Sequence, residues 1–101
     1  MSAEGIELDA PADLATVVVP LPDGVRLPRR PLGHLLDSRG VVVRSGIPAA
    51  AENDGQPRTT LIDFRVEQPG RYRFEVLDMD AAGDPAEPVF SVPITVRPAR
   101  R

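Results

Sequence analysis

A chain of 101 residues can bury roughly two thirds of its unfolded surface as one domain, and a formal net charge of −3 offers no field to draw in a nucleic-acid backbone. The absence of cysteine excludes disulfides and thiolate metal sites, so an apolar core must hold the fold, and 12 prolines argue against long helices. All 12 basic residues are arginine, a bias that reads as GC-rich coding of a bacterial kind rather than as chemistry.

The N-terminal stretch carries Glu4 and Glu7 where a signal peptide needs basic and then apolar residues, which predicts an unsecreted, cytoplasmic protein. Apolar runs such as residues 17–21 fall far short of the roughly 20 residues that span a bilayer, so no membrane contact is expected. Residues 6–9 suit an additional edge strand. Residues 14–19 are rich in β-branched side chains and read as a strand that the Pro20 to Gly24 segment ends. Residues 25–27 form a short extended piece, and residues 32–36 and 41–44 read as two strands joined by Asp37-Ser38-Arg39-Gly40. Residues 47–57 read as a loop with one helical turn at Ala49 to Glu52.

The clearest pattern lies in residues 60–77. Ile62, Phe64 and Val66 share one face against Asp63, Arg65 and Glu67; after Gln68-Pro69-Gly70, Tyr72, Phe74 and Val76 oppose Arg71, Arg73 and Glu75. Direct pairing with both apolar sets on one face sets Arg65 against Arg73 and Asp63 against Glu75, and like charges opposite each other destabilise a ladder. A two-residue loop mixes the two faces instead. The chain is therefore predicted to cross at Pro69-Gly70 from one sheet to another, with the apolar faces meeting inside a sandwich. A last strand over residues 89–96 alternates Phe90, Val92, Ile94 and Val96 against Ser91, Pro93 and Thr95. It matches the Tyr72 strand with Phe90 near Val76 and Ile94 near Tyr72, and Pro93 belongs at an edge.

The segment from Phe64 to Phe74 resembles the corner between the fifth and sixth strands of immunoglobulin-like and fibronectin-like domains, where a tyrosine two residues past a glycine forms a tyrosine corner. The resemblance implies an all-β, immunoglobulin-like antiparallel β-sandwich of about seven strands. It casts Tyr72, with Gly70, as a structural anchor and names no partner. The whole chain is expected to be one sandwich domain, with about residues 1–5 and 99–101 as flexible ends.

Chemistry-bearing motifs are sparse. His34, Asp37 and Ser38 hold the side-chain types of a nucleophilic triad but crowd one strand and turn without a nucleophile elbow, so no catalytic residue is expected and the protein reads as no enzyme. One histidine and no thiol make tetrahedral zinc unexpected, and no phosphate-cradling glycine motif occurs. No cofactor is expected. The Arg-x-x-x-Arg spacing of Arg26 and Arg30 is similar to one element of PilZ domains, which bind a cyclic dinucleotide, but their second element is not reproduced at residues 37–40. The acidic segment 78–87 offers Asp78, Asp80, Asp84 and Glu87 as weak cation candidates. Ala82 and Val89 occupy two positions where a calcium loop needs ligands, so a solvated hairpin loop is the expectation.

By exclusion, the sequence points to a non-enzymatic protein-interaction or structural module within an assembly, meeting a protein partner or another copy of itself. The alternative is a small-ligand or divalent-metal-binding domain using the acidic loop or the arginine segment 26–30. Docking is expected at the edge of the last strand, through Phe90, Ser91, Pro93 and Thr95, whose free N–H and C=O groups would accept an added strand.

Overall fold

The computed structural model describes residues 4–53, 55–80 and 87–99. They form an all-β sandwich with no α-helix among them. The strands are β1 (Ile6–Asp9), β2 (Ala12–Asp13), β3 (Val18–Pro20), β4 (Pro31–Leu36), β5 (Val42–Gly46), β6 (Ala50–Asn53), β7 (Gln56–Thr60), β8 (Arg65–Val66), β9 (Gly70–Asp78) and β10 (Phe90–Arg97). A five-stranded sheet runs β1-β10-β9-β4-β5, a three-stranded sheet runs β3-β7-β6, and β2 pairs with β8 in a short ribbon. The ten strands among the described residues exceed the expected seven, and two of them, β2 and β8, have only two residues each.

Alternation places the core as the sequence pattern requires. Leu35, Phe74, Val76, Phe90, Val92, Ile94 and Val96 face inward from the large sheet, and Leu14, Val19, Leu61, Ile62 and Val66 meet them from the other side. Gly33 makes one close approach possible. A Cβ there would sit 2.8 Å from the Phe74 ring and 2.9 Å from Ile62, so the missing side chain lets the ring lie against β4.

The crossing at Pro69-Gly70 is present: β8 belongs to the short ribbon, β9 to the large sheet, and the two do not pair. Gly70 opens β9 with a φ of 153°, a backbone value that side chains rarely adopt. Two residues on, the Tyr72 hydroxyl donates to the Gln68 carbonyl at 2.8 Å, closing the tyrosine corner, although the ring is half-buried rather than enclosed. The last strand also keeps its expected register, with Phe90 opposite Val76 and Ile94 opposite Tyr72.

Four local expectations change. Residues 14–19 divide into a 3-10 turn at Leu14–Thr16 and the strand β3, because the Asp13 side chain accepts the Ala15 N–H at 3.1 Å and holds the turn. Residues 25–27 join no sheet, although Val25 is buried. The helical turn at Ala49 to Glu52 is replaced by β6, paired with β7. Thr60 fixes that segment by donating its backbone N–H to the Ala49 carbonyl and accepting the Ala49 N–H on its hydroxyl, both at 2.9 Å, and tertiary pairing overrides alanine's helix preference. Of residues 60–66, only Arg65–Val66 adds a strand beyond β7, yet Ile62 and Val66 are buried and Asp63, Arg65 and Glu67 exposed, as the alternation requires.

The corner bond gives a direct stability test. Tyr72→Phe should lower unfolding free energy by about 1 kcal/mol, the worth of one hydrogen bond. Tyr72→Ala should cost several times more through lost ring packing, with both losses read from denaturant midpoints at unchanged slope.

Candidate functional site

The expected docking edge is not an edge. β1 runs parallel to β10 and covers it, with Ile6 opposite Ile94, Glu7 opposite Thr95 and Asp9 opposite Arg97. Ile6 and Leu8 pack on the core, and Arg97 ties β1 down through Asp9 at 2.9 Å and Glu7 at 3.2 Å. Phe90 lies in the core, Thr95 is half-buried beside β1 and Ser91 is half-buried, leaving only Pro93 exposed. Pro93 sits one residue before β1 begins to pair, where its missing N–H leaves no gap in the ladder.

The margins of the large sheet are β1 and, at the opposite end, β5. The β4–β5 hairpin is built by Asp37, whose Oδ1 accepts the backbone N–H groups of Arg39 at 2.9 Å and Val41 at 3.0 Å, while its own N–H donates to the Val41 carbonyl at 2.9 Å. Both backbone groups of Val41 are thereby turned toward β4. Alternation then turns those of Val42 outward, to the margin. A bulge between Val42 and Arg44 bends the strand further, so the margin offers a short hydrogen-bonding stretch flanked by side chains rather than a long template. Those side chains are apolar: Val41 is 53% exposed, Val42 45%, Val43 44% and Ile47 73%. They are four of the six large apolar side chains exposed among the described residues. The only charge within β5, Arg44, folds its guanidinium over the Phe64 ring at 5.5 Å and leaves the valines uncovered.

The hairpin turn also walls a surface cavity of about 570 Å³, floored by Leu36 and Pro93 and bordered by Arg39, Arg71 and Arg73. The Asp37 carboxyl lies below the ordinary carboxylate range, chiefly because the Val41 N–H bonds its charged form, with Arg39 adding backbone, coulombic and side-chain contributions.

His34 does not assemble with Asp37 and Ser38. It stands on the outer face of β4 in a cross-strand row between Ser45 and Glu75, while Asp37 is committed to the turn. No hydrogen bond links the His34, Ser45 and Glu75 side chains among the described residues.

The two alternative ligand segments lie against each other. Arg30 NH1 is 3.3 Å from Asp80 Oδ1, and Asp78 Oδ1 accepts the Asp80 N–H at 2.9 Å. Asp84 lies outside the described residues, Glu87 is exposed, and no group of three or more potential metal-ligating side chains occurs among those described. Among the described residues the two segments meet through this one exposed ion pair, an interaction of little energetic weight.

Neither a protein-family model nor a curated protein matches the chain. Among solved structures, it is similar to CopC from Methylosinus trichosporium OB3b, at 26% sequence identity and a TM-score of 0.50, over 94% of this chain and 87% of that one. The similarity spans both sheets and accords with the all-β sandwich. The hairpin and its margin were legible only in part: the sequence marks the two strands and the turn, but which strand ends the sheet is a property of topology.

Because the folded-state pKa of Asp37 is depressed, its contribution to stability is present above the unfolded carboxyl value and is lost as pH falls through the folded one. Asp37→Ala should therefore lower the melting temperature at pH 7, with the gap to the parent protein closing in strongly acidic buffer. A gap that persists unchanged below pH 2 would assign the loss to turn packing alone.

Proposed function

We propose that this protein is a non-enzymatic interaction or structural module of immunoglobulin-like architecture, working in the cytoplasm within an assembly and docking a protein partner on its β5 margin. The observation that carries the reading is the exposure of four large apolar side chains, Val41, Val42, Val43 and Ile47, on or next to β5, one of the two terminal strands of the large sheet. A single exposed valine needs no explanation, but four exposed large apolar side chains within residues 41–47, beside an unpaired sheet margin, fit an interface. The bulge and the short free stretch at Val42 favour docking by side-chain burial, reinforced by one or two backbone bonds, over addition of a full strand.

The opposite margin supports the same reading by contrast. There β1 presents acidic Glu7 and Asp9, engaged with Arg97, a charged edge of the sort that discourages association. The core beneath the margin is closed and the outer sheet face is open, which suits a binding scaffold better than a reaction site.

Affinity capture from native cell extract, with bound proteins quantified against the parent, tests the reading. Val42→Asp should cut recovery of a specific partner, or of the chain's own self-association by light scattering, by at least about tenfold, since a charge would be buried at the contact centre. Val18→Asp, equally exposed on the other sheet, should leave recovery unchanged. Equal recovery with both variants would contradict docking at β5.

A further inference from the structure

We propose that the cavity beside the β4–β5 turn binds a small organic phosphate, held by Arg39, Arg71 and Arg73. The chain carries an excess of acids, 15 against 12 arginines, yet three arginines and only one acidic residue, Asp37, line this cavity. That reversal is local and comes from two separate elements. Arg71 and Arg73 stand two residues apart on the outer face of β9, about 7 Å along the strand, and Arg39 reaches in from the hairpin turn.

The carboxylate does not cancel the site. Both Asp37 oxygens are engaged, one with the Arg39 and Val41 N–H groups and the other with the Arg39 guanidinium at 3.4 Å. Arg73 meets Glu75 only at 3.7 Å with its own side chain 63% exposed, an ion pair that costs little to release. Arg71 has no ion-pair partner among the described residues. Arg71 is thus free to turn onto a ligand, and Arg39 and Arg73 can exchange long, exposed ion pairs for one.

The shape selects the ligand class. One carboxylate brings two oxygens and a single negative charge, which leaves three guanidiniums largely uncompensated. A tetrahedral phosphate monoester, with three terminal oxygens and nearly two charges at pH 7, offers each arginine an edge. In register, Leu36 and Pro93 flank Arg73 on either side and give the floor an apolar character suited to a short carbon skeleton. The Ser38 hydroxyl on the turn adds a donor at the rim. A volume of about 570 Å³ falls within the range of small-molecule sites.

The test is a titration of the full chain with glycerol 3-phosphate, inorganic phosphate, sulfate and acetate at constant ionic strength, followed by backbone amide and arginine Nε–H shifts. The expected result is saturable shifts confined to residues 36–40, 71–73 and 93, strongest for the phosphate ester, and weakening below about pH 6 as the ester dianion takes up a proton. Arg71→Gln should weaken binding by at least about tenfold with the remaining spectrum unchanged, and Arg39→Gln should act in the same direction. Shifts that never saturate, that are equal for acetate and phosphate, or that survive both substitutions would overturn the proposal.

Discussion

The structure depends on the refusal of two adjacent strands to pair. If the strands on either side of Gln68-Pro69-Gly70 formed a hairpin with their apolar faces together, Arg65 would face Arg73 and Asp63 would face Glu75. The chain instead carries β9 across into the large sheet, so that Ile62 and Val66 meet Phe74 and Val76 through the core rather than beside them. Tyr72 pins this crossing by reaching back to Gln68. Once β9 is placed at the centre of its sheet, β4 and β10 can pair on its two sides, and the positions of both sheet margins follow.

The parts of the fold legible in the sequence are those fixed by alternation and local turn chemistry. The faces of β9 and β10, their mutual register, the Asp37 turn and the tyrosine corner all follow from residues close in the chain or from a period of two. The errors arose where distant partners decide. Nothing local at residues 49–52 announces that Thr60 will hold Ala49 on both sides. The edge position expected for the last strand failed for the same reason. Residues 6–9 were recognisable as an edge strand, but their parallel pairing with β10 is set by Arg97 reaching Asp9 and Glu7, some ninety residues away in sequence. Topology thus buries the last strand inside the sheet and leaves β5, not β10, at its end.

The candidate sites share one structural origin. The Asp37 turn fixes the direction of β5, which exposes Val42 and its neighbours at the margin, and the same turn forms the wall of the arginine-lined cavity. Exposed apolar side chains and an arginine-lined cavity therefore both belong to the β4–β5 hairpin. Binding of an anion at the turn and docking of a partner at the margin would act on the same element. The acidic loop, by contrast, meets the arginine segment at Arg30 and Asp80, at the far end of β9.

The central claim is that β5 is an open margin whose outward backbone groups await a partner, and amide hydrogen exchange measures this directly. In dilute protein, the Val42 N–H should exchange orders of magnitude faster than that of Val41, which is held by Asp37, and should gain protection in the assembled state. A Val42 amide as slow as Val41 in the dilute, monomeric protein would mean that another part of the chain already covers the margin, and would contradict the account.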